Sequence, residues 1–201
     1  MDRYETYDEL KMQHIKGQDY DIQVCAKQRM IIAPHGGGIE PGTSELTRLL
    51  AERTGMGFYI FEGRQKSGNA DMHITSTHFD EPMGVHVVGE STTTLAIHGY
   101  LGKPEQRDTI IGGRDEQLKR ETLCALQTAG FTARIAEQGT LFSGQSPRNI
   151  VNKNQCFQGV QLEISLAQRM MFFHNFTLPH RMESRTEECL SYVTALSAVY
   201  R

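Results

Sequence analysis

No stretch of this chain approaches the roughly 20 consecutive apolar residues that a helix needs to cross a bilayer. No block of Lys and Arg resembles a nucleic-acid-binding arm. The net charge of −3 points the same way, because the whole-molecule field offers nothing to a phosphate backbone. The opening segment, MDRYETYDELKMQH, is polar and charged where a secretory signal would be apolar, so a cytoplasmic location is expected. Cysteine is scarce: Cys25, Cys124, Cys156 and Cys189 lie far apart with no CxxC pair. That excludes a zinc ribbon and argues against a disulfide framework, which leaves buried or inert thiols. No internal repeat or low-complexity tract stands out.

What is present is the composition of an ordinary globular protein. At 201 residues, with 38% hydrophobic and 22% charged residues, the chain is expected to form one domain over 1–201. Apolar runs alternate with helical patterns, which marks an α/β fold. Strands are expected near Met30–Ala33, Gly57–Phe61, Met72–Thr75, Thr93–Ile97, Thr109–Ile111, Thr132–Ala136 and Val160–Leu166. Several of these are short and continuously apolar, like buried sheet strands. PGTSELTRLLAERTG reads as a helix capped by Thr43 or Ser44 and stopped by Gly55. RDEQLKRETLCALQTAG is a second helix, with Leu118, Leu126 and Ala129 turned inward. SRTEECLSYVTALSAVYR is a third, with Leu190, Val193 and Leu196 or Ser197 on one face. Residues 138–158 form a polar segment long enough to suggest a functional loop.

Two segments end alike. IIAPHGG and LAIHGY each run an apolar strand into a histidine and then a glycine. If both strands are central and parallel, His35 and His98 emerge at the same sheet edge, where ligands of open α/β sheets sit. Glu40 lies five residues beyond His35, across Gly36, Gly37 and Gly38, which permit a tight reversal. Two histidines and one carboxylate make a three-ligand set with a fourth position open, the composition of a catalytic rather than a structural zinc site. In GVQLEISL, Val160, Leu162, Ile164 and Leu166 take one face while Gln161, Glu163 and Ser165 take the other. Glu163 is thereby either solvated or set in a cleft, where it would serve as proton carrier. His73, His78 and His86 cluster in MHITSTHFDEPMGVH and could substitute as metal ligands, while HFDEP could support the ligands, form a substrate loop or be an ordinary turn.

Taken in order, APHGGGIEPGTSE, HITSTHFDEP, LAIHGY and GVQLEIS resemble the bacteriophage poly-γ-glutamate hydrolase family and its bacterial relatives, over roughly Tyr20 to Tyr200. The resemblance implies a fold similar to zinc carboxypeptidases: a three-layer α/β domain whose mixed, mostly parallel sheet has helices on both faces. It implies a zinc enzyme that cleaves γ-linked glutamate amides, with His35, Glu40 and His98 as zinc ligands. Water held by the zinc would be the nucleophile and Glu163 the general base. Poly-γ-glutamate or a related γ-glutamyl compound is the implied substrate, and no nucleic acid or membrane is expected as a partner. Degradation of a capsule is a role that would suit a phage, and lysis would then release the protein. The oligomeric state stays open, a monomer included. The family resemblance leads one to expect an Asn-rich segment with a basic residue ahead of the Glu strand; here it reads SPRNIVNKN, with Arg148 or Lys153 as that residue. Arg114, Arg148, Lys153 and His78 are therefore the expected substrate-binding residues, since a polyanion calls for cations in the cleft.

Two other readings compete. HGGG also occurs as an oxyanion loop of esterases, and VHVVGESTTT resembles a strand leading to a Gly-x-Ser elbow, which would make Ser91 the nucleophile of a serine esterase or amidase. The glycine triplet could also form an anion nest in a non-catalytic polyanion-binding module, although Glu40 would repel the anion.

Overall fold

The computed structural model describes residues 2–201, and one seven-stranded mixed sheet organises it. The strands are β1 (Tyr20–Cys25), β2 (Arg29–Gly37), β3 (Gly57–Gly63), β4 (Thr93–Tyr100), β5 (Thr109–Gly113), β6 (Ala133–Ile135) and β7 (Val160–Ser165). Their order is β1-β3-β2-β4-β7-β5-β6. β3, β2, β4 and β7 are parallel; β1 is antiparallel to β3, and β5 to β7. The helices are α1 (Tyr7–Gln13), α2 (Thr43–Thr54), α3 (Pro82–Gly89), α4 (Glu116–Thr128), α5 (Leu166–Met171) and α6 (Glu187–Val199).

Alternation along the strands divides the core in two. Ile31, Leu95, Ile97, Leu162 and Ile164 face a layer built by α2, α4 and α6, with Leu46, Leu126, Tyr192 and Leu196 packed against them. Met30, Ile32, Ala96, Tyr59 and Phe61 face the opposite layer, where α1, α3 and a 3-10 turn at Ile150–Asn152 supply Leu10, Val87, Val88 and Ile150. Each layer buries apolar side chains at about 25 cal/mol per Å², and together they clamp the sheet from both faces.

Several elements differ from expectation. Met72–Thr75 is no strand: Asn69–Met72 is a 3-10 turn, and the chain then runs as a loop. β1 is a strand with no continuous apolar run to announce it, because an edge strand needs only one buried face and Asp21 and Gln23 alternate with Tyr20, Ile22 and Val24. PMGVHVVG is helix, not the strand a nucleophile elbow requires. Thr43 and Ser44 do not cap α2, whose N-cap is Gly42. They serve the preceding turn instead: the Thr43 hydroxyl donates to Glu40 O at 2.9 Å, and Ser44 Oγ accepts from Gly37 N–H at 2.8 Å. On α6, Cys189, Tyr192, Val193 and Leu196 point inward, whereas Leu190 is exposed. All four thiols are free, and Cys25, Cys124 and Cys156 are exposed, so the buried-thiol reading holds for Cys189. Among the described residues no helix is long and apolar enough to cross a membrane.

Candidate metal centre and active site

β2 and β4 are adjacent and parallel, so the two strand-His-Gly segments finish side by side. A register shift in β2 between Ala33 and Gly36 re-aims His35 toward β4. The glycines then fold the chain back. Gly37 has φ +67°, and a Cβ there would meet Gly63 O at 2.3 Å, so no other residue fits this close approach to β3. Glu40 N–H donates to His35 O at 2.8 Å, closing a five-residue reversal that returns the Glu40 carboxylate to the histidine.

Donor atoms of three residues converge as a result. His35 Nδ1 lies 3.1 Å from His98 Nδ1 and 3.1 Å from Glu40 Oε1, and His98 Nδ1 lies 3.6 Å from Glu40 Oε2. A tetrahedral zinc with bonds of ~2.0–2.1 Å would separate its ligands by roughly 3.3–3.4 Å. The tautomers agree with such an ion. His35 Nε2–H donates to Ile74 O at 2.8 Å, which leaves its Nδ1 lone pair free, and His98 Nε2 lies 3.4 Å from Ser76 Oγ, so both Nδ1 atoms turn toward the same point. Two lone pairs at 3.1 Å repel unless a proton or a cation lies between them. The residues present therefore fit a divalent metal. A second trio, His35, Glu40 and His73, also brings one ligand atom each to within 4.8 Å of the others. His73 Nε2 is 3.8 Å from Glu40 Oε1, and its Nδ1 bonds Asp2 Oδ1 at 2.8 Å. The tighter spacing and the buried His98 favour the trio containing His98.

Burial alone would raise the Glu40 carboxyl, but the charges and hydrogen bonds of His35 and His98 outweigh it and hold the group well below the usual carboxylate range. Gly99 N–H donates to Glu40 Oε2 at 2.8 Å. Burial lowers the His98 imidazole, yet Glu40 and Glu163 overcome it and leave its pKa raised. Beneath the centre, the buried guanidinium of Arg169 donates to Ile164 O, Pro41 O and Tyr100 O, tying three elements together. A Cβ on Gly99 would meet that guanidinium carbon at 2.4 Å, so the glycine after His98 makes room for Arg169.

Glu163 pairs in register with His98 on the neighbouring strand β7 and shares its face of the sheet. Burial, offset by His98 and reinforced by Glu40, lifts its carboxyl from the ordinary 4.5 to about 7. Its Oε1 accepts from Gln161 Nε2 at 3.1 Å, and Gln161 Oε1 accepts from Asn149 Nδ2 at 2.8 Å. The 138–158 segment thus fixes the carboxylate, and Thr140–Ser146 and Asn149 wall one side of a cavity of about 400 Å³. His35, Glu40, His73, His98 and Glu163 all line that cavity, which has no Lys or Arg in its lining.

The expected substrate-binding residues are dispersed. Arg114 leaves β5 beside Gly159, because β5 runs antiparallel to β7 and delivers its end to Val160 rather than to Glu163. Lys153 follows the 3-10 turn and lies outside the cavity lining, as does His78, which is exposed just beyond the lining residues Thr75–Thr77. Arg148 is exposed between the lining residues Ser146 and Asn149. Asp2, Gln161 and Arg134 were not foreseen. Arg134 of β6 pairs with Ile110, which pairs with Glu163, so it joins the row His98–Glu163–Ile110 across four neighbouring strands. Two strand spacings separate it from Glu163, roughly 9–10 Å. Its charge reaches Tyr100 of the cavity wall, offsetting part of the rise that burial and Asp108 impose on that phenol. No sequence signal marks Asp2 or Arg134, since only strand pairing and loop docking bring them to the site.

The serine reading is contradicted. Ser91 is fully buried at the start of β4, donates to Val88 O at 2.8 Å and bonds Thr94 Oγ1 at 3.0 Å. It has no histidine partner among the described residues and sits at the edge of the sheet away from the cavity.

Fold and site together define a three-layer α/β protein of the zinc carboxypeptidase-like kind. The chain belongs to the poly-gamma-glutamate hydrolase family, whose model matches residues 4–195. A bacteriophage poly-gamma-glutamate hydrolase superposes with a TM-score of 0.94 at 37% identity, covering 99% of this chain and 96% of that one. The apo, zinc-free form of YndL superposes equally well, with a TM-score of 0.94 at 33% identity over 99% of this chain and 97% of that chain. The SPbeta prophage-derived protein YoqZ of Bacillus subtilis (strain 168) is 36% identical over 198 residues, 98% of this chain and 70% of its own length. Membership makes the chain one of a family of hydrolases.

Proposed function

We propose that this protein is a zinc-dependent hydrolase of the γ-glutamyl amide bonds of poly-γ-glutamate, with His35, Glu40 and His98 holding the metal and Glu163 as general base. The observation that carries the reading is the close approach of donor atoms from these three residues, 3.1, 3.1 and 3.6 Å, in a cavity that Glu163 also lines. The zinc-free form of YndL, a relative that shares the fold, supports the choice of metal. Zinc bound here would act as a Lewis acid on the amide carbonyl and make a water more acidic.

The chain's own residues do the rest. Glu163 takes a proton from the attacking water and passes it to the leaving amine; a pKa near neutrality suits both transfers. Gln161 holds Oε1, leaving Oε2 for the proton. Thr and Ser side chains of the cavity wall bind the neutral backbone of the polymer, and its free carboxylates fall to cations at the rim. Arg134, in the Glu163 row, and Arg148, beside the lining, are the residues we assign to that task. Arg114, Lys153 and His78 would contact only more distant parts of a long polymer.

Incubation with polymeric γ-glutamate, with and without phenanthroline, tests the reading by sizing the products. Shortened chains without chelator and intact chains with it are expected. Hydrolysis that survives complete metal removal would overturn it.

A further inference from the structure

The two site histidines are oriented through their far ring nitrogens by one short stretch of chain. Ile74 O accepts from His35 Nε2 at 2.8 Å, and Ser76 Oγ lies 3.4 Å from His98 Nε2. A histidine that ligates through one ring nitrogen carries its proton on the other, so the Ile74 carbonyl selects the His35 tautomer, while the Ser76 hydroxyl orients the His98 ring. This stretch is loop, with no ladder to hold it. Its carbonyls are anchored on the carboxyl-terminal side, where Ser76 O accepts from Ile150 N–H at 2.9 Å and Thr75 O from His78 N–H at 2.8 Å.

Asp2 anchors it on the other side. One oxygen of its carboxylate accepts from Thr75 N–H at 2.6 Å, and the other bonds His73 Nδ1 at 2.8 Å. The two anchors flank Ile74, the residue whose carbonyl meets His35. The His73 ring in turn stacks on His35, with centroids 4.0 Å apart. Further along, the contact of Arg3 with Asp71 and the bond from Tyr7 N–H to Asp80 Oδ1 at 2.6 Å bind the same amino-terminal arm to the neighbouring loop, away from the histidines.

We propose that Asp2 is a positioning residue of the metal centre: by pinning His73 and Thr75 it fixes the Ile74 carbonyl and the Ser76 hydroxyl that orient His35 and His98. The inference rests on the metal reading above. It predicts that Asp2 sets metal affinity and geometry without touching the metal or the substrate.

The test uses the full chain and Zn²⁺ alone, with affinity read by competition against a chromophoric chelator, and Co²⁺ as a spectroscopic probe. Asp2→Ala is expected to weaken zinc binding roughly 10- to 100-fold, the range for lost outer partners of ligating histidines, and to shift the visible Co²⁺ absorption. Asp2→Asn keeps an acceptor for Thr75 and loses the carboxylate partner of His73, so its affinity is expected between the two. Arg3→Ala, which frees the arm elsewhere, is expected to leave both readouts at the wild-type values. Asp2→Ala and Asp2→Asn with wild-type zinc affinity and an unchanged Co²⁺ spectrum would overturn the proposal, even if thermal stability falls. A wild-type protein that takes up no zinc would overturn the metal reading itself, and this inference with it.

Discussion

Glu163 shows how much one side chain owes to its neighbours. It stands between His98 of β4 and Ile110 of β5 in the sheet, with Gln161 bonded to one oxygen. In the proposed mechanism it carries the proton in the transition state and does not hold the metal. Glu163→Gln is therefore expected to bind zinc stoichiometrically and to lose roughly 10²–10⁴-fold in kcat, measured by product sizing beside metal analysis. The same residue gives a pH signature in metal-free protein. Its folded pKa, about 7, lies above the ordinary 4.5, so its favourable contribution is complete below pH 4.5 and is lost as pH rises through 7. Denaturant unfolding in chelator should find Glu163→Gln gaining on the wild type between pH 5 and pH 8, on the order of 2–3 kcal/mol. An equal difference at both pH values would remove the buried-carboxylate account.

At the scale of elements, the glycine turn and the β6 edge carry separate expectations. Gly37 combines φ +67° with a prospective Cβ 2.3 Å from Gly63 O. Gly37→Ala is expected to cost roughly 2–4 kcal/mol by urea unfolding, because backbone must move as well as strain. Gly55, at the end of α2, also has positive φ (+72°) but open space around it, so Gly55→Ala should cost only about 1 kcal/mol. On β6, an exposed cation that meets a substrate carboxylate contributes modestly. Arg134→Ala is expected to raise KM for polymeric γ-glutamate roughly 3- to 10-fold with little change in kcat, an effect that added salt diminishes. An unchanged KM at low salt would remove Arg134 from the substrate path.

For the whole molecule, the proposed metal centre would join the carboxyl ends of β2 and β4 to the turn before α2, so loading it would tie the middle of the sheet to one helix layer. Binding only the folded state adds about 4 kcal/mol at a thousandfold excess over Kd. For a chain of this size that is roughly 8–16 °C in Tm. Chelation should lower the melting temperature by that amount and zinc should restore it; coincident melts with and without chelator would contradict the centre drawn here.

Much of this was legible in the residues. Continuous apolar runs announced the central strands because both their faces are buried. The repeated strand-His-Gly ending named His35 and His98, since parallel neighbours must finish at one edge, and the glycine triplet implied the reversal that returns Glu40. The family motifs added Glu163. Other features carry a weaker mark or none. The edge strand β1 alternates apolar and polar residues and lacks the continuous apolar run of its neighbours. VHVVGES reads as strand by β-branching, yet Glu81 caps it and α3 forms. Charge alone nominated Arg114, but the reversed direction of β5 sends it to Val160. Sequence by itself determined which side chains have the chemistry to hold a cation, because donor identity and turn flexibility are properties of single residues and short spacings. Tertiary structure decided which groups surround them, because Asp2 reaches the centre and Arg134 its neighbourhood only through strand order, register and loop docking.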